Sequence, residues 1–134
     1  MARQVFVSGV FDLLHSGHIA FLKEAATYGD LYVALGSDRT VYGLRGRPPV
    51  NNEEERLFMV RAISYVKRAF ISQGTGVLDF RQELRDLHPA LFIVTEDANL
   101  PAKPRLGNEL GIEYLALKRE PYASLPMSST TDLR

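Results

Sequence analysis

His15 and His18 stand three residues apart around Gly17, and Gly9, Val10, Phe11 and Asp12 lie just ahead of them. Imidazole donates a hydrogen bond in its neutral and its cationic form alike, close to neutral pH. Two such rings on the first turn of a helix can face the same side and meet phosphate oxygens as charge builds on them. Gly17 has no side chain, so a phosphate can approach the backbone there. A metal centre is the weaker reading. Two histidines are an incomplete ligand set, no acidic residue sits at a supporting spacing, and no protein-ligated metal is predicted. One capping and one packing histidine would give the same spacing, but Gly9 and Asp12 favour a built loop.

The segment before the loop, Gln4-Val5-Phe6-Val7-Ser8, reads as a strand, with residues 5–8 its centre. Residues 17–28 read as a helix that buries Ile19, Leu22 and Ala26 and stops at Gly29. A strand-to-helix junction is an anion site, because unpaired N–H groups and the positive end of the helix dipole point outward. Further strands are predicted at residues 31–36, 66–72, 91–95 and 113–117. The second and fourth are apolar almost throughout, as strands covered on both faces are. A second helix starts after Asn52, its N-cap, with Leu57, Val60 and Ile63 on one face. A third carries Val77, Phe80, Leu84 and Leu87 and ends at Pro89; a fourth carries Leu106 and Leu110 and ends at Gly111. Alternation of this kind predicts an α/β fold: one Rossmann-like doubly wound domain over residues 1–134, with a five-stranded, mainly parallel sheet. Ligands bind such sheets beyond the carboxyl ends of the strands, where His15 and His18 fall.

Sixteen basic and sixteen acidic residues cancel, so the chain is not built to grip a long nucleic acid. A small phosphorylated ligand needs only local positive charge. With no cysteine among 134 residues, a disulfide framework, a thiol nucleophile and a thiolate metal site are excluded. No apolar run approaches a membrane span, and Met1-Ala2-Arg3-Gln4 leads into the first strand without a cleavable leader. A cytoplasmic protein is the expectation, with no membrane partner.

Gly9-Val10-Phe11-Asp12-x-x-His15-Ser16-Gly17-His18 closely resembles the signature of the nucleotidylyltransferase superfamily with the H-x-G-H motif. The continuation through Ile19–Ala25 to Gly29-Asp30 is most similar to the cytidylyltransferase branch, which includes the glycerol-3-phosphate, choline-phosphate and ethanolamine-phosphate enzymes. Heptose-phosphate adenylyltransferase and archaeal-type FAD synthetase are near relatives of that branch. The resemblance implies that His15 and His18 are catalytic and contact the triphosphate, and that Gly9, Val10, Phe11, Asp12 and Gly17 bind the nucleotide. It implies phosphate-binding roles for Arg45 and Arg47, which flank Gly46 in the proline-stiffened loop Arg45-Gly46-Arg47-Pro48-Pro49-Val50-Asn51, and for Arg56 beyond it. Asp97, in Thr95-Glu96-Asp97-Ala98-Asn99, takes the place of the family acid. Ser128, Ser129 and Thr130 resemble the family's Ser/Thr run against the triphosphate, although Ser129 and Asp132 also fit a plain capping arrangement. Arg119 takes the role of the family arginine. Pro121 to Pro126 separate it from the hydroxyls, which argues against glycerol phosphate itself as the acceptor.

The reaction expected from this resemblance is transfer of CMP from CTP to a small phosphorylated sugar or polyol, with release of pyrophosphate. The alternatives are an adenylyltransferase using ATP, of the heptose-phosphate or FMN type, and a non-catalytic nucleotide-binding regulatory domain, which the intact His-x-Gly-His argues against. Mg2+, or another divalent cation, would accompany the triphosphate, and a homodimer is common in the family. His88 reads as a surface residue or a cation at a helix end, and Lys103 and Arg105 as solvated.

Overall fold

The computed structural model describes residues 3–118. The first strand, β1 (Gln4–Gly9), lies at the centre of a five-stranded sheet. The chain winds outward through β2 (Asp30–Leu35) to β3 (Val66–Ile71), then crosses to the other side of β1 for β4 (Leu91–Thr95) and β5 (Glu113–Leu117). The order is β3-β2-β1-β4-β5. Every pairing is parallel, so the expected doubly wound α/β fold is present in its all-parallel form. The winding reverses between β1 and β4, and the loops there part to leave a crevice at the carboxyl ends of the strands.

Alternation along β1 divides the core between the two faces of the sheet. Val5 and Val7 pack with Leu22, Ala25, Val33 and Val60. Phe6 points the other way, among Phe80, Leu84, Phe92 and Leu106. Its ring lies 5.9 Å from those of Phe80 and Phe92, in tilted and edge-on geometries that aromatic pairs favour.

The helices are α1 (Ser16–Ala26), α2 (Asp38–Arg45), α3 (Glu53–Arg61), α4 (Arg81–Leu87) and α5 (Ala102–Leu110). Sequence reasoning missed α2, which is only eight residues long and has Gly43 inside it. Its signals are at its ends. The Ser37 side chain accepts from the Thr40 amide, and Gly46 closes the helix at φ 74°, a conformation that favours glycine. Asn52 caps α3 as expected, its Oδ1 accepting from the Glu55 amide at 2.8 Å. The expected third helix is shorter than its apolar spacing suggested: α4 begins only at Arg81, and Val77 is exposed in the turn before it. His88 ends α4 in a left-handed conformation, and its ring Nε2 lies 2.9 Å from the Leu110 carbonyl at the end of α5. Among the described residues, no helix is long and apolar enough to cross a membrane.

Candidate active site

His15 is the N-cap of α1, and the two histidines cap the helix jointly. The Gly17 amide donates to His15 Nδ1 at 3.0 Å, and the His15 amide donates to His18 Nδ1 at 3.2 Å. Both Nδ1 atoms are therefore acceptors, which fixes each neutral ring as the tautomer with its proton on Nε2. The rings stack with centroids 3.9 Å apart and 25° between their planes. The arrangement corrects one expectation: the Gly17 amide is occupied by an imidazole, so the donors offered at this helix start are ring N–H groups.

Phe11 orients the second ring, its own ring meeting His18 edge-on at 5.2 Å. It does so from a left-handed backbone, φ 53°, which a bulky residue adopts only under constraint. Gly9 makes this possible. A Cβ there would lie 2.8 Å from Phe11 Cε2, so the ring occupies space that any other residue would fill.

Asp12 and Arg56, expected at the nucleotide phosphates, are not among the residues lining the crevice. Asp12 is buried, and its two carboxylate oxygens accept from the Val50 and Asn51 amides at 2.9 Å each. The Asn51 side chain returns a bond to the Asp12 carbonyl at 2.8 Å. Asp12 thus fastens the end of the basic loop beside the histidines. Arg56 is wholly buried. Its guanidinium donates to the carbonyls of Asn51, Val10 and Gly36 at 3.0, 3.0 and 2.6 Å, and to Asp38 at 2.8 Å. A planar fork of five donors suits this junction of the β1–α1 loop, the end of β2, α2 and the entry to α3. Arg56 is a structural hub.

The crevice has a volume of about 500 Å3. Gly9, Val10, Phe11, His15, Gly17, His18, Arg45 and Asp97 line it, so eight of the expected site residues meet there. Arg45 reaches it from the last residue of α2, not from a loop. Arg47 is exposed and is not among the lining residues. Arg119, Ser128, Ser129 and Thr130 lie outside the described residues. Lys103, expected in solvent, is buried and lines the crevice. Burial pushes its amine below the usual lysine range, while Asp79 pulls it back up. Asp79 is itself buried, and desolvation, then the nearby Glu83, raises its carboxyl to about 6. No local pattern marks Lys103 in the sequence; only its place at the start of a helix after β4, by the switch point, would have.

The site therefore offers two preorganised N–H donors, a guanidinium, an ammonium and one carboxylate around a crevice at a topological switch point. That set suits stabilisation of phosphate charge during transfer. The sequence profile of the cytidylyltransferase-like family matches residues 6–134. The FAD synthase of Methanopyrus kandleri is 34% identical over 136 residues, 97% of this chain and 88% of that one. The FAD synthase of Pyrococcus abyssi is 49% identical over 71 residues, about half of either chain. The crystal structure of a lipopolysaccharide core biosynthesis protein from Thermoplasma volcanium is 27% identical, with a TM-score of 0.75, and covers 92% of this chain and 100% of its own. The relatives named FAD synthase overturn the expectation of CMP transfer from CTP to a sugar or polyol phosphate. The physical reason is plain. The role that the family resemblance implies for the His-x-Gly-His loop is contact with phosphates, which ATP and CTP share, so the motif carries no information about base or acceptor.

Proposed function

The chain belongs to the cytidylyltransferase-like family, a family of nucleotidyltransferases, and within it we propose that this protein is an FMN adenylyltransferase, joining AMP from ATP to FMN to give FAD and pyrophosphate. The observation that carries the reading is the similarity to an FAD synthase along 97% of the chain. The stacked histidines supply the chemistry it needs.

A phosphate oxygen of FMN attacks the α-phosphorus of ATP. The new O–P bond forms as the bond to the bridging oxygen of the β-phosphate breaks, and pyrophosphate departs. The FMN phosphate is ionised near neutral pH, so no base has to remove a proton. His15 and His18 donate from Nε2 to the oxygens on the α-phosphate. Their rings are already held by the helix cap, so little reorganisation opposes the step. Arg45, and from the loop Arg47, balance the charge of the triphosphate or the acceptor phosphate. Arg119, Ser128, Ser129 and Thr130 are assigned to the triphosphate on the family resemblance. Asp97 is the one carboxylate lining the crevice among the described residues, and no cluster of three metal-ligating side chains occurs among them. That donor set fits a divalent cation carried in by the triphosphate and held largely through water, where it would neutralise phosphate charge.

The test is incubation of the purified chain with ATP and FMN, following FAD by chromatography and pyrophosphate release. Parallel arms replace ATP by CTP and FMN by sugar and polyol phosphates. FAD formed from ATP and FMN, and no product with CTP, is the expected result. A nucleotidylated sugar with no FAD would overturn the reading.

A further inference from the structure

Lys103 is buried at a cost that the described contacts do not offset. It is only 9% exposed, yet it is the second residue of α5 and its side chain lines the crevice. An ammonium out of water is strongly unfavourable unless an anion lies against it. Lys103 takes no part in the ion pairs Arg3–Glu113, Arg56–Asp38 and Arg81–Glu109. Its place in the helix adds a second penalty. The first turn of α5 has no acidic residue, and the positive end of the helix dipole repels a cation there. One opposing charge acts on it through space, that of Asp79. Asp79 is buried and has one carboxylate oxygen, Oδ2, with no hydrogen-bond partner.

We propose that the Lys103 ammonium contacts a phosphate group of a bound nucleotide. A phosphate in the crevice would meet both requirements at once: it supplies the missing partner for the lysine and a negative charge at the start of α5. Phosphate is carried by both ATP and FMN, and the shared group is what the lysine recognises. The inference rests on the reading of the crevice as a nucleotidyl-transfer site.

The experiment is calorimetric titration of the whole chain, as wild type, K103M and K103R, with ATP, adenosine, FMN and riboflavin. Loss of a charge-assisted hydrogen bond predicts that K103M weakens ATP or FMN binding by about tenfold to a hundredfold. Adenosine and riboflavin should be unaffected, and K103R should recover most of the loss. The nucleotide that weakens identifies which substrate the lysine holds. Equal losses for the phosphorylated and unphosphorylated ligands would mean a structural role and overturn the proposal, as would unchanged ATP and FMN binding. Should K103M fail to fold, acetylation of the wild-type chain read by mass spectrometry answers the same question. ATP or FMN should shield Lys103 while adenosine and riboflavin do not; equal labelling overturns it. A wild type that binds phosphate through Lys103 but makes no FAD would sink the proposed function alone.

Discussion

Replacing Arg56 by methionine tests the assignment of this residue to the architecture of the site. The substitution keeps the length of the stem and removes the guanidinium. Three carbonyls, those of Val10, Gly36 and Asn51, lose their donor in a region where Arg56 is wholly buried. Each orphaned buried acceptor costs about 1–3 kcal/mol. Asp38 contributes little, since its side chain is 41% exposed and water can replace the lost partner. Relaxation and entering water lower the total, which leaves about 3–5 kcal/mol of destabilisation. A chain of this length has about 7–15 kcal/mol of stability, so R56M should fold at 25 °C but melt about 10–20 °C lower. R56K keeps the charge without the fork and should fall between. Urea unfolding and thermal melts give the stability, and calorimetry with ATP gives the binding of whatever fraction is folded. A variant as stable as wild type, with ATP binding weakened, would refute the reasoning and return Arg56 to the phosphate.

H18A should lower kcat about 10²- to 10³-fold, as loss of a preorganised donor does, while costing only about 1 kcal/mol for the lost cap; near-normal turnover would sink the mechanism. In G9A the new Cβ would sit 2.8 Å from the Phe11 ring, so the ring must swing away from His18. Overpacking predicts a loss of about 1–3 kcal/mol in denaturant unfolding and a further drop in turnover, and a variant with wild-type turnover would count against the Phe11–His18 link. Asp79 sets a pH dependence of stability. Its carboxyl is raised from 3.8 to about 6, so between these values the folded state holds more of the proton than the unfolded state does. Stability from this group is therefore present at low pH and is lost as pH rises through about 6. D79N should flatten that slope in unfolding titrations from pH 4 to 8. Parallel slopes in the two proteins would contradict it.

What the sequence determined by itself is local in character. The strand centres, the cap at Asn52 and the stop at Gly111 each depend on a few neighbouring residues, and the pairing of His15 with His18 is a matter of spacing on one turn. The parallel order followed from alternation of elements and handedness. Base and acceptor were beyond reach, because the role that the resemblance implies for the His-x-Gly-His motif is contact with phosphates, which many substrates share. The short helix α2 escaped because eight residues with a glycine among them give a weak helical signal between its caps. Tertiary structure decided which basic residues face the crevice. Arg56 looked like a phosphate ligand and is a core hub; Lys103 looked solvated and lines the site. A charged side chain is directed by the loops that converge on it from distant parts of the chain. For Arg56 these are Val10, Gly36 and Asn51, brought together around its guanidinium. No window of neighbouring residues contains that meeting, so only the folded chain could assign the two cations their places.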